Sequence, residues 1–341
     1  MKAQVIHRIA SLEENPTPLA AVELPTPSPG SGQVLIRVSA CGVCHTELDE
    51  IEGRTPPPRL PVVPGHQIVG RVVECGPGVR RLKPGERVGV AWLYGSCGIC
   101  DHCRAGLENL CADFRATGRD ADGGYAEFTA VPEASAFPLP AVFSDVQAAP
   151  LLCAGAIGYR SLALTGIGNG RLLGLTGFGA SAHLVLKMVR HRFPDTRVAV
   201  FARSEKERDF AVELGAWWAG DTSASSPEPL DAIIDTTPAW QPVVAALANL
   251  RPGGRLVINA IRKEDRDKAA LLDIDYPAHL WMEKEIKSVA NVSRRDVAEF
   301  LSLAAQIPIT PEVETYRLSE ANAALLSLKQ RHVRGAKVLV I

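Results

Sequence analysis

The chain has 341 residues, 46% of them hydrophobic and 22% charged, the balance of a globular protein long enough for two domains with cores of their own. Its formal net charge of −1 argues against nucleic acid or an anionic membrane surface as partner, because either would need a basic face. The opening MKAQVIHRIASLEE has no apolar run of leader length, and no segment approaches about 18 uninterrupted apolar residues, so a cytoplasmic protein without membrane spans is expected.

Up to about residue 145 the chain reads as short strands cut by turn residues. Strands are predicted over 33–40, 68–74, 86–91 and 125–131, separated by runs such as PTPSPGSG, RTPPPRLP and LKPGER. Such spacing predicts an antiparallel, β-rich domain. After Pro150 the rhythm changes. A helix over 146–164 leads into a strand at 171–175, a glycine turn, a helix over 180–190, a strand at 197–201 and a helix over 205–214. Further strands are predicted at 230–235, 255–260 and 285–290, with a helix at 242–250. Apolar strands alternating with amphipathic helices predict a parallel sheet covered on both faces. The tail returns to helix–strand–helix–strand and is too small to stand alone. The fold class is therefore α/β: a β-rich domain over 1–148, rejoined by 295–341, and a doubly wound parallel-sheet domain over 149–294.

Of the eight cysteines, Cys97, Cys100, Cys103 and Cys111 form C-x2-C-x2-C-x7-C. Two-residue spacers turn neighbouring thiolates toward one point, and the longer loop brings a fourth to close a tetrahedron. With no coordination position left open, such a zinc site is structural; the ferredoxin iron–sulfur spacings differ. Thiolates gathered this way also suit a reducing compartment.

Three further segments each carry one good ligand: CGVCHTELD at 41–49, PGHQIVGRV at 64–72 and APLLCAG at 149–155. Alone, each is a weak signal. In the order ligand Cys, Gly-His, four-cysteine loop, ligand Cys, glycine turn, the chain resembles the zinc-dependent medium-chain alcohol dehydrogenases, essentially end to end. That resemblance implies a GroES-like catalytic domain and a Rossmann domain, with Cys44, His66 and Cys153 holding a catalytic zinc whose fourth position stays open. Zinc there would lower the pKa of a bound alcohol so that an alkoxide expels hydride, and in reverse would polarise a carbonyl. Cys41 is also a candidate ligand by its C-x2-C spacing to Cys44, but the resemblance gives that role to Cys44 and leaves Cys41 a packed thiol; Cys75 has no partner in any motif and reads as structural. Thr46 falls where the family has the hydroxyl that begins a proton relay, and His45 where it contacts the cofactor pyrophosphate; the alternative for Thr46 is to cap the helix HTELDEI. Asp49 stands at the relay's usual terminal His, Glu47 at a supporting Asp, and Gln67 at a Glu, which removes one negative charge behind the metal. Trp92 matches a substrate-pocket position, with a core tryptophan as the other reading.

In RLLGLTGFGASAHLVLKMV, Gly174 and Gly179 match the first and third glycines of G-x-G-x-x-G, with Thr176 in the middle position and Gly177 directly after it. The resemblance places Phe178 behind the nicotinamide ring and pairs Arg294 with the pyrophosphate, an unpaired surface Arg being the alternative. Ala202 takes the position where NAD enzymes carry an acid, followed by Arg203 and Ser204. A small residue beside an Arg and a hydroxyl favours the 2′-phosphate, so NADP(H) is expected to be preferred and NAD(H) tolerated; the opposing reading has Glu205 or Glu207 reaching the ribose. The expected function is a two-zinc, NAD(P)-dependent alcohol dehydrogenase acting on a small alcohol or aldehyde, as a homo-oligomer (dimer or tetramer). The alternatives are a polyol or sugar-alcohol dehydrogenase of the same superfamily and, more remotely, a zinc-dependent nucleic-acid-binding protein.

Overall fold

The sequence QVLIRVSACGV, rich in β-branched residues on its inward face, forms the 11-residue strand β3 (Gln33–Val43) around which the first part of the molecule is organised. In this computed structural model, which describes residues 1–307, 309–330 and 336–341, the chain divides into two units, Met1–Cys153 with Val292–Ile341, and Ala154–Asn291.

The first unit contains β1 (Lys2–Ile6), β2 (Leu19–Glu23), β3, α1 (His45–Ile51), β4 (Ile68–Cys75), β5 (Arg87–Val90), β6 (Leu93–Gly95), α2 (Asp101–Arg104), β7 (Arg115–Ala116), β8 (Phe128–Pro132), β9 (Ala136–Pro138) and α3 (Asp145–Pro150). β3 pairs antiparallel with β4 over most of its length and, along its other edge, with β8 over Gln33–Arg37. Ile36, Val38, Cys41, Ile68, Val88, Val90 and Tyr125 fill the core between the strands.

The second unit holds α4 (Ala156–Thr165), β10 (Leu172–Thr176), α5 (Ala182–Arg192), β11 (Arg197–Phe201), α6 (Glu205–Glu213), β12 (Trp218–Gly220), β13 (Leu230–Asp235), α7 (Gln241–Ala248), β14 (Leu250–Ile258), α8 (Tyr276–His279) and β15 (Glu285–Ser288). Its six strands run parallel in the order β12-β11-β10-β13-β14-β15. The strand order reverses between β10 and β13, the switch point of a doubly wound sheet. The chain then returns to the first unit through α9 (Arg294–Ala304), β16 (Val313–Arg317), α10 (Ala321–Lys329) and β17 (Ala336–Val340), and β17 pairs antiparallel with β3.

Two expectations need correction. The single helix predicted over 146–164 is α3 and α4 joined by a π-turn, Leu151–Gly155. Pro150 lies at that junction and has no N–H to donate, so the α ladder breaks there and a wider turn takes over. The helix predicted from 180 begins at Ala182 instead.

Candidate metal centres and cofactor turn

The three-ligand cluster begins where β3 ends. Cys44 is the N-cap of α1, in extended conformation (φ −137, ψ 174), and its sulfur accepts the Thr46 N–H at 3.3 Å. Glu47 closes the capping box by accepting the Cys44 N–H at 2.8 Å. Its other carboxylate oxygen lies 2.6 Å from His66 Nδ1. One wholly buried carboxylate thus fixes both ligand segments. With Nδ1 donating to Glu47, Nε2 of His66 is free to ligate, and it stands 3.9 Å from Cys44 Sγ. Gly65 sets up this approach: its φ of +98 belongs to the left-handed region, and a Cβ would overlap the Tyr125 ring. Cys153 comes from the π-turn. The ligand atoms of Cys44, His66 and Cys153 all lie within 4.8 Å of one another, against about 3.5–3.8 Å expected between ligands of a tetrahedral zinc. Hydrogen bonding with Cys153, reinforced by burial, pushes the Cys44 thiol well above its usual range. Two thiolates in so dry a place need a cation to offset them. The donor set fits zinc.

The four-cysteine loop is a second cluster, with all four sulfurs within 4.8 Å. Cys97 Sγ lies 3.5 Å from Cys111 Sγ and 3.8 Å from Cys103 Sγ, far too long for disulfides. The backbone N–H groups of Ile99 and Cys100 point at the Cys97 sulfur and pull its thiol down to about 6, preparing a thiolate for metal.

Around the first cluster, Thr46 is the second residue of α1, not its cap, and its Oγ1 lies 3.3 Å from Cys44 Sγ. His45 opens the same helix. Asp49 is buried and ion-paired with Arg54, which also pairs with Glu52; the expected relay terminus is therefore already engaged. Cys41 is a core thiol. Trp92 is half-buried, its ring 5.1 Å from that of Phe114, with the Arg119 guanidinium 5.5 Å from its centroid. Sequence reasoning missed Glu50 and Arg119, whose relation to Trp92 exists only in three dimensions.

In the second unit the tight turn belongs to Gly177 (φ +78), where a Cβ would come within 2.8 Å of Thr236 Oγ1, and its N–H is held by the Phe201 carbonyl. Gly174 instead sits in the sheet, where a side chain would strike Leu230 and Ile233. Thr176 is buried at the end of β10, and Gly179 has open space around it. Phe178 turns inward, 5% exposed and edge-on to Phe210, which makes it a packing group of the turn. Ala202 is buried past the end of β11, Arg203 is exposed, and Ser204 is the N-cap residue of α6. Sequence reasoning also passed over Arg208, whose Nη1 donates to the carbonyls of Ala202 (2.8 Å) and Arg203 (2.9 Å). In the first unit, Arg294 opens α9 and pairs with Glu108 at 3.2 Å, so it is not an unpaired surface arginine.

Residues 30–141 match the family described as the alcohol dehydrogenase GroES-like domain. A probable alcohol dehydrogenase of Mycobacterium tuberculosis is 42% identical over 346 residues, covering 100% of this chain and 97% of its own. A cinnamyl alcohol dehydrogenase structure from Sorghum bicolor is 27% identical with a TM-score of 0.83, covering 99% of this chain and 97% of its own. A cobalt- and zinc-bound thermostable alcohol dehydrogenase from Pyrobaculum aerophilum is 25% identical with a TM-score of 0.86, covering 100% of this chain and 99% of its own. End-to-end likeness at this level, with both cysteine clusters formed, makes the chain a member of the zinc-dependent medium-chain alcohol dehydrogenase family, enzymes that interconvert alcohols and aldehydes or ketones with NAD(P).

Proposed function

We propose that this alcohol dehydrogenase holds two zinc ions per chain, a catalytic one on Cys44, His66 and Cys153 and a structural one on Cys97, Cys100, Cys103 and Cys111, and that it prefers NADP(H) while tolerating NAD(H). The observation that carries the catalytic assignment is Glu47, which fixes the Cys44 backbone and the His66 ring at once. Zinc in such a three-ligand site supplies a Lewis acid that eases loss of an alcohol proton or polarises a carbonyl. The protein's own residues supply the rest. Glu47 keeps the His66 ring in one tautomer and orientation. The Thr46 hydroxyl, 3.3 Å from the Cys44 sulfur, is the group assigned to take the alcohol proton and pass it on. Asp49 follows one turn along, where it is ion-paired with Arg54. Its share of the proton path is read by the activity of Asp49→Asn.

The cofactor preference rests on the end of β11. Ala202 offers no carboxylate to ribose hydroxyls, Arg203 is exposed, and Arg208 adds a second guanidinium held against the same backbone. Gly177 and Gly179 are assigned to the close backbone approach of the pyrophosphate, with Gly174 and Thr176 shaping the strand before it; His45 and Arg294 are further pyrophosphate candidates, Arg294 only by exchanging Glu108. The homo-oligomer is supported by β15, an edge strand with all four residues exposed, and by Trp281 and Tyr276, exposed at 55% and 59%. Among the described residues no helix is long and apolar enough to cross a membrane; unbridged cysteines favour a reducing, cytoplasmic setting.

Metal analysis of the purified protein tests the pair of sites: two zinc ions per chain are expected, and one at most would reject the second site. A panel of primary, secondary and aromatic alcohols with each cofactor tests the rest. Wild type should favour NADP and Ala202→Asp should lose that preference. A tenfold preference for NAD in wild type would reject it.

A further inference from the structure

Glu50 is a conspicuous residue outside the machinery described so far. It lies four residues after Thr46 on α1, hence on the same helix face, about 6 Å farther along the axis. It is 1% exposed, and neither of its carboxylate oxygens has a hydrogen-bond partner among the described residues. The buried indole Nε1 of Trp92 is likewise without one. Two buried polar groups left open this way are costly unless they serve each other. They are neighbours. Burial, then the charge of Glu47, pushes the Glu50 carboxyl well above its usual range, while His66, Arg119 and the Trp92 indole pull the other way. The terminal torsion of a Glu side chain is soft and broad, so the carboxyl can turn toward an N–H beside it.

The other sides of the indole are also held. Arg119 lies over the ring, and its own guanidinium is fixed by Asp120 through two bonds of 3.1 and 2.8 Å. Phe114 packs at a 45° tilt. An indole with a guanidinium on its face, a tilted phenyl ring beside it and an open, buried carboxyl next to its N–H has what a rigid, flat wall requires.

We propose that Glu50 is a positioning residue for substrate specificity: it takes the Trp92 N–H and, with Arg119, holds the indole as a fixed platform that favours flat aromatic or allylic alcohols and aldehydes over flexible aliphatic ones. This rests on the alcohol-pocket role assigned to Trp92 by its place in the sequence and deepens it. Glu50 touches no reacting atom, so its loss alters KM for flat substrates and leaves kcat in place.

The experiment measures kcat and KM for cinnamyl alcohol and 1-propanol in wild type, Glu50→Gln, Glu50→Leu, Trp92→Phe and the Glu50→Leu/Trp92→Phe double variant. Glu50→Leu should raise KM for cinnamyl alcohol about tenfold while kcat and the 1-propanol KM stay within twofold. Glu50→Gln, which still accepts a hydrogen bond, should stay within about threefold of wild type. With Trp92→Phe the N–H is gone, so adding Glu50→Leu should do nothing more. The proposal is overturned if Gln is as damaging as Leu, if both alcohols suffer equally, or if the double variant loses the product of both effects. Should Glu50→Leu not fold, Arg119→Gln gives the same reading: a selective rise for cinnamyl alcohol supports the platform, and an equal rise on both alcohols overturns it. A wild type inactive on every alcohol would instead strike at the dehydrogenase reading itself.

Discussion

The four-cysteine loop and the Cys44–His66–Cys153 cluster lie in one unit, and each gathers its ligand atoms within 4.8 Å of one another, yet they are built in different ways. The first is drawn from residues 97–111, on a short helix and turns with little buried surface of their own. Its sulfurs are organised by local backbone N–H groups, so the loop has its metal geometry because of its spacing. The second collects a helix cap, a residue after a left-handed glycine and a π-turn from three distant places, and its unity depends on one buried carboxylate. A local site holds a loop together; a long-range site is held together by the fold. The first should therefore respond to damage as a stability element and the second as a functional one.

The largest effect should come from His66→Ala: a loss of about 10³-fold or more in kcat/KM, roughly 4 kcal/mol of transition-state stabilisation, with one zinc missing by metal analysis. Near-wild-type alcohol oxidation by this variant would erase the contrast. Cys103→Ser should do the reverse, with one zinc lost and stability lowered by on the order of 3 kcal/mol, while the folded fraction keeps its turnover. Denaturant melts alongside activity per folded molecule check this; unchanged stability with lost activity would exchange the two roles. Glu47→Gln keeps the shape but weakens the hold on His66, and should cost about 10–100-fold in zinc affinity or turnover. Metal competition titration would show it, and no change there would leave Glu47 without a metal role.

The smallest effect concerns the frame of α1. Burial pushes the Glu52 carboxyl up, but Lys329, the Leu12 N–H and Arg54 outweigh it and hold it near 2. A carboxyl depressed in the folded state contributes stability that is present above the ordinary Glu range and lost as pH falls toward 2. Glu52→Gln should flatten that acid limb by about 1 kcal/mol, after allowing for solvent screening, as read from melts between pH 5 and 2.

How much was legible in the chain follows the same division. The spacing of Cys97, Cys100, Cys103 and Cys111 announces its chemistry because the ligands are sequence neighbours. Cys44, His66 and Cys153 carry no such local signal, and only the order of motifs along the chain brought them together. The strands β3, β4, β10 and β13 are readable from their apolar runs. The short β1, β2, β6, β7, β9 and β12 were not singled out, because strands of two to five residues are defined by their partners more than by their own pattern. Phe178 could be placed in the turn from sequence, but which way its ring faces depends on Phe210 in α6. Arg294 likewise has Glu108 as its partner, far away in the chain.

The π-turn at Leu151–Gly155 makes chain length itself a part of the three-ligand cluster. A π-turn accommodates about one residue more than the α-helical turn it replaces, and successive residues of an α-helix are turned by about 100°. Deleting a single residue before Cys153, even one whose side chain does nothing, would swing Cys153 away from Cys44 and His66. Substitution and deletion are therefore unequal events in this segment. The number of residues between α3 and α4 is a constraint separate from their identities, one that a profile of residue types would miss and a count of gaps would reveal.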